Sequence, residues 1–436
     1  MRGEEGDPQG RGMRGDLTVV WRERPFRRLA LARTVALVAD SSVPIALAFA
    51  VLAMPGGSAT DLGLVLLCRS VAQIICVLFG GVVADRFPRV RVMISADLVA
   101  GSAQLIAAGL VITGRADIVV LAALATLNGA AAALVLPASS GLLPELVPSH
   151  LLKSANALLR LGMNTASIGG AAMAGFVVAV VGPGWALGAA GLAFFGSLLF
   201  LLGIRAPGSA AGGEGAKPVP VPREGFFSEL AHGWKAFASR RWLWVVVLQF
   251  AVLNACTNGG LRVLGPVVAE AELGGAAAWS TIMAAQSGGL LVGTLLVMRI
   301  HPRRPLRFGV VATLGFVPPF LLLAAGAPVW AVAMSTLLSG ISADFFSVFW
   351  STSLQVHVPN DVLSRISSYD ALGSYILGPV GLAVAGPLAD RFGPTPVLIA
   401  CGALTAGATV AALSSSQVRS LPALSTEENE VGAHAR

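Results

Sequence analysis

Two residues of opposite charge stand where charge is costly. Asp40 lies eleven residues into an apolar run over roughly 29–54, about 16 Å deep at 1.5 Å per helical residue. Arg69 lies fourteen residues from the far end of the next run, roughly 62–83, about 21 Å deep from the same side. An ionisable group in lipid costs several kcal/mol unless it is paired or hydrated, so each is a candidate for function. Antiparallel neighbours at similar depth can pair these two, which keeps Asp40 ionised until a proton or a substrate cation competes for it. Asp40 is therefore the expected protonation or cation site, and a purely structural ion pair is the alternative.

Other polar residues interrupt apolar runs in patterns. Asn254, Asn258 and Arg262 recur at i, i+4 and i+8. That spacing is one stripe of an α-helix, expected to line a cavity or a helix contact rather than face lipid. Asp344, with Ser347 and Ser351 behind it, makes a shorter stripe, and Asn128, Asn164, Gln249 and Gln286 are further cavity candidates. Arg33, Asp97, Arg160 and Asp370 fall within about two turns of a run's end, where snorkelling toward water needs no function. Phe345, Phe346, Phe349 and Trp350 read as lipid-facing interface aromatics, with a greasy wall for an apolar ligand as the alternative.

The elements that must carry these residues are long helices. Of 436 residues, 55% are hydrophobic and only 12% charged, where soluble domains carry roughly 25% charged. A mean hydropathy of +0.76 agrees, and a soluble enzyme is excluded. Twelve runs long enough to cross a bilayer fall at roughly 29–54, 62–83, 92–112, 116–136, 156–181, 184–204, 242–268, 277–298, 306–326, 328–350, 366–389 and 395–414. They greatly exceed the length of a barrel strand, so the expected fold is all-α and integral to the membrane.

Twelve crossings put both ends of the chain on one side. The connections and helix ends on that side hold 26 of the 30 Lys and Arg, which makes it cytoplasmic. The expected layout is a tail over 1–28, a six-helix half over 29–204, a connection over 205–241, a second half over 242–414 and a tail from 415. The polar ends are expected to be disordered. Residues 207–222 read as a flexible linker, and Phe226, Phe227, Leu230, Trp234 and Phe237 as the apolar face of a short interfacial helix.

At an offset of 211 the chain matches itself. Val147-Pro148 aligns with Val358-Pro359, Gly170 with Gly381, Gly175 with Gly386 and Gly182-Pro183 with Gly393-Pro394. The matched helices run in the same direction, so the halves are parallel six-helix repeats, an architecture used by rocker-type secondary transporters.

Between the second and third helices stands Gly80-Gly81-Val82-Val83-Ala84-Asp85-Arg86-Phe87-Pro88-Arg89-Val90-Arg91. It closely resembles the loop 2–3 signature of the major facilitator superfamily. Gly81, Asp85, Arg86 and Arg89 match, while Pro88 replaces the usual glycine and Val90 the second basic residue. Leu143 to Pro148 with Ala155-Asn156, and Gly386 to Gly393, are similar to the macrolide-efflux and enterobactin-exporter branch. The resemblance implies twelve helices in two six-helix repeats, and a conformational latch at Gly81, Asp85, Arg86 and Arg89. Loop 8–9 lacks the matching Asp, and the helix-5 stretch Ser167 to Gly170 lacks the antiporter motif's proline.

No Gly-Lys-Ser/Thr phosphate loop is present, so an ion gradient is the expected driver. The expectation is a proton-coupled exporter of drugs or other amphiphilic molecules, by alternating access. An importer of a small metabolite is the alternative, and a membrane-embedded enzyme the weaker third. No cofactor, metal or nucleic-acid partner is expected. The chain reads as a monomer in the cell membrane, working on a small molecule.

Overall fold

The computed structural model describes residues 13–148, 151–204, 237–300 and 302–422. The linker at 207–222 and four of the residues expected to face the interface, Phe226, Phe227, Leu230 and Trp234, lie outside them, whereas Phe237 is described and is buried in a hydrophobic core.

Among the described residues there are twelve helical spans long and apolar enough to cross a membrane. Spans 1 to 6 are Arg24–Leu52, Ala59–Val77, Arg89–Ile112, Ile118–Leu146, Ser154–Val181 and Pro183–Leu201. Spans 7 to 12 are Arg241–Leu273, Ala276–Val297, Pro305–Ala324, Val329–His357, Tyr369–Phe392 and Pro394–Ser414. Several run past their expected ends. Span 4 continues through Pro137 and Pro144 to Leu146 instead of stopping near 136, and the helix of span 10 extends to His357. The ends expected to be disordered are partly helical. Met13–Arg22 forms a helix with Val20 fully buried, and Ser416–Ser420 forms a turn that buries Val418.

The chain divides into two compact units, Met1–Ala50 with Val65–Gly213, and Val51–Leu64 with Glu214–Arg436. Residues 51–64 belong to the second unit, where the Thr60 backbone N–H donates to Asp390 Oδ2 at 3.2 Å and Gly63 fits against span 11 at Leu382.

In the first unit, spans 3 and 6 pack closely because small residues face each other. A Cβ on Gly191 would lie 2.8 Å from Leu105, and one on Gly101 3.0 Å from the Phe195 ring. Such small-residue contacts substitute for the hydrophobic drive that lipid cannot supply. Span 1 meets span 5 the same way, with Ser42 Oγ donating to the Gly170 carbonyl at 2.9 Å.

The second unit is built from interrupted helices. Span 7 is α-helical over Arg241–Cys256, widens to a π-helix over Thr257–Leu264, and repeats that widening over Ala269–Leu273. Pro266 has no N–H to close the ladder, and a π-turn accommodates the loss. Span 9 tightens to a 3-10 turn at Thr313–Phe316, ahead of Pro318 and Pro319. Span 11 is two helices, Asn360–Tyr375 and Gly378–Phe392, parted where Pro379 interrupts the hydrogen-bond ladder.

Candidate functional site

The charges predicted to pair do so. Arg69 Nη2 donates to Asp40 Oδ1 at 2.7 Å, and Arg69 Nε donates to Asn128 Oδ1 at 2.9 Å. Spans 1, 2 and 4 are thereby tied through one guanidinium, itself 8% exposed. Sequence provides for this locally. Gly129 follows Asn128, and a Cβ there would collide with the Arg69 carbonyl, so only glycine lets span 4 come close enough to place the amide. Asn128 is fully buried and its Nδ2 has no partner.

Beside this network lies a cavity of about 100 Å³, bordered by Arg33 and Asp40 of span 1, Gln73 of span 2 and Asp97 of span 3. Alanines 96, 100, 131 and 132 leave the room, and Phe194 of span 6 closes one wall. Asp97 corrects the expectation of a snorkelling charge, for it is only 3% exposed. A carboxylate has too short a stem to snorkel as Lys and Arg do. Asp97 Oδ2 instead accepts from Ser197 Oγ of span 6 at 2.6 Å. The same Ser197 hydroxyl also lies 3.1 Å from the Ala32 carbonyl of span 1. Arg33 acts on both Asp97 and Asp40 through space.

Sequence reasoning took Arg33 and Asp97 for snorkelling charges and did not single out Ser197. The signal available was the four-residue grid of span 3: Ala96, Ala100, Ala103 and Ala107 all face inward, and Asp97 shares that face with Gly101 and Gln104.

The second unit treats its candidates differently. Of the two places expected for Asn254, a cavity lining or a helix contact, the structure shows a helix contact: its Nδ2 donates to the Ser374 carbonyl at 3.0 Å, beside the break in span 11. It satisfies a backbone acceptor that the interrupted helix leaves open. Asn258 Nδ2 donates to the Asn254 carbonyl at 2.8 Å, within its own helix. The expected α-stripe does not continue to Arg262, because the π-helix carries more residues per turn and leaves Arg262 exposed.

Gln249 is buried and donates to Thr313 Oγ1 at 2.9 Å and Thr409 Oγ1 at 3.4 Å, joining spans 7, 9 and 12. Gln286 reaches Ser339 Oγ at 3.4 Å. Asp344 is half-buried with its Oδ2 unpartnered, and a Cβ on Gly293 of span 8 would come within 2.8 Å of it. Asp370 accepts from Trp350 Nε1 at 2.9 Å and Ser374 Oγ at 3.1 Å. Asn164 is exposed. The aromatics expected to face lipid are inside the unit: Phe346, Phe349 and Trp350 are buried, and Phe346 stacks on Phe250 with ring centroids 4.5 Å apart.

Of the expected latch, Gly81, Asp85 and Arg86 belong to the helix that ends at Arg86, and their side chains lie outside the described residues. Arg89 opens span 3 and bonds to Glu145 Oε1 of span 4 at 2.7 Å, and to the Gly141 carbonyl. Both partners are in the same unit.

Comparison with known proteins agrees with this architecture. The family model of the Major Facilitator Superfamily matches residues 29–382. The enterobactin exporter EntS of Shigella dysenteriae serotype 1 is 26% identical over 386 residues, 84% of this chain and 88% of its own. That of Shigella boydii serotype 18 is 27% identical over the same shares. Among solved structures, the nucleoside transporter NupG superposes with a TM-score of 0.69 at 15% identity, covering 89% of this chain and 98% of NupG. A bacterial homologue of the lysosomal transporter Spinster gives 0.62 at 14% identity, covering 94% and 95%. Twelve apolar spans and a family match over most of the chain have one reading: the protein is a multi-pass membrane transporter of the major facilitator superfamily.

Proposed function

We propose that this chain is a proton-coupled exporter of amphiphilic small molecules, working by alternating access with both termini in the cytoplasm. The observation that carries the coupling is the charged cavity of the first unit. Two carboxylates, Asp40 and Asp97, and two guanidiniums, Arg33 and Arg69, are gathered within apolar spans, and such groups in a bilayer mark ion and proton pathways. Export over import is supported by the exporter relatives, whose similarity extends over 84% of this chain. The cytoplasmic placement of the termini rests on the one-sided Lys and Arg distribution. Arg89 and its neighbours in loop 2–3 serve as the latch of one conformational state.

The test is accumulation of a panel of chemically diverse fluorescent compounds in an efflux-deficient bacterial host expressing the chain. Low accumulation that rises when a protonophore is added supports the reading. Unchanged accumulation across the panel, with protein well expressed, overturns it, and raised uptake of a nutrient would replace it with import.

A further inference from the structure

The cavity and the Ser197 hydrogen bonds go further than this reading, on which the inference rests only for the use made of the proton. We infer that Asp97 is the proton-accepting group of this transporter, and that Ser197 relays its protonation to span 1. Asp40, by contrast, is the fixed partner of Arg69.

The cavity sets the size of the ligand. A volume of about 100 Å³ has room for several waters, each needing roughly 10–15 Å³ of such space. Drug-sized molecules need pockets of about 300 Å³ or more. It is a place for an ion rather than for the transported amphiphile. Arg33 on its wall disfavours a metal cation and leaves a proton as the fitting occupant.

The two carboxylates are not equivalent. Asp40 is bonded to Arg69, which is buried and has no other anionic partner among the described residues; its second partner is the neutral amide of Asn128. Asp97 has a neutral hydroxyl as its hydrogen-bond partner. The cationic group facing it is Arg33, half-buried in the unit. Its long side chain can reach water once the attraction to Asp97 is gone. Asp40 also faces Asp97 from span 1. Span 2 adds Arg69, engaged with Asp40, and the neutral Gln73. Among the described residues the cavity walls from spans 4 and 6 carry no titratable group.

Ser197 has one hydrogen and two acceptors, Asp97 Oδ2 at 2.6 Å and the Ala32 carbonyl at 3.1 Å. With Asp97 ionised, the hydroxyl donates to the carboxylate. When a hydronium in the cavity passes its proton to Asp97 Oδ2 and leaves as water, the new O–H donates to Ser197 Oγ. The serine hydrogen then turns to the Ala32 carbonyl. Every donor is used in both states, and what changes is a hydrogen bond between spans 6 and 1 together with the hold on Arg33.

The experiment is acid-induced infrared difference spectroscopy of the purified full-length protein, with the proton itself as probe. The C=O stretch of a protonated carboxyl should appear in the wild type and be retained in Asp40→Asn. It should vanish in Asp97→Asn and move to higher frequency in Ser197→Ala, which removes the hydrogen bond. Absence of the band from wild type, or its survival in Asp97→Asn, overturns the inference. Where Asp97→Asn does not purify as a monodisperse species, Ser197→Ala decides: an unmoved band overturns the inference, a moved band supports it. No substrate enters this measurement. A chain that shows the Asp97 band yet changes no compound's accumulation loses the exporter reading alone, and protonophore-sensitive efflux without the band loses the Asp97 assignment alone.

Discussion

Removing the Asp40 carboxylate while leaving Arg69 in place isolates a guanidinium inside an apolar bundle. Asp40→Asn keeps the shape and removes the charge that faces Arg69 Nη2 at 2.7 Å. Breaking a buried pair on one side costs about 3–5 kcal/mol. The side chain of Asp40 is 29% exposed and that of Arg69 10%, so water relieves part of the loss and about 3 kcal/mol is expected. At about 2–4 °C per kcal/mol for a domain of this size, apparent Tm falls by about 6–12 °C. Arg69→Met should cost a similar amount, since it strands Asp40 and frees the Asn128 carbonyl oxygen. The double variant Asp40→Asn/Arg69→Met should recover most of the loss, because it leaves no unpaired charge in the bundle. Thermal melting of the detergent-purified protein, followed through a thiol-reactive dye on its buried cysteines, reads all four corners of the cycle. If both single variants melt within about 2 °C of wild type, or if the double loss is the plain sum of the single losses, the pair is not buried as described and the reasoning fails.

Gly129→Val should separate spans 2 and 4 at the Arg69 carbonyl, costing about 1–3 kcal/mol by overpacking, and it should be seen as lost monodispersity on size exclusion. Gln249→Leu should change stability by no more than about 1 kcal/mol. Thr313 and Thr409 remain bonded to each other at 3.0 Å, and the unpartnered Gln249 Oε1 disappears, which a melting curve would register as a near-coincident transition. Arg89→Ala should cost less than about 1 kcal/mol of stability, because its bond to Glu145 joins side chains 32% and 44% exposed. A latch role would show instead as an altered rate of compound efflux at matched expression.

The spans were legible because lipid demands long apolar runs, and the superfamily because the Gly81 to Arg89 stretch keeps its residues in order. Asp40 and Arg69 could be matched from depth alone, since helices in a bilayer have a fixed rise and a common starting plane. Asp97 was missed because the same depth argument treats every charge near a run's end alike. Whether a carboxylate there meets water or Ser197 depends on how tightly span 3 lies against span 6, and that is set by Gly101 and Gly191 on two distant parts of the chain. The choice between cavity lining and helix contact for Asn254 stayed open for a related reason: nothing local to span 7 announces that span 11 is broken beside it. The break itself was foreshadowed by Gly378-Pro379, yet Pro44, Pro137 and Pro144 sit within helices that continue unbroken. A proline alone does not predict the outcome.

The interrupted spans 7, 9 and 11 give the second unit a different kind of polarity from the first. There the helical main chain is interrupted near Pro266, Pro318 and Pro379, a feature that truncating the neighbouring side chains leaves in place. An alanine scan would therefore find sensitive positions crowded into the first unit and report the second as nearly silent. Changes that restore a continuous ladder, such as Pro266→Ala or Pro379→Ala, would be the ones to expose it. The map of functional residues from such a scan would then describe the method's blind spot as much as the protein, and a variant that alters transport from within the second unit should more often add or remove a proline or glycine than alter a charge.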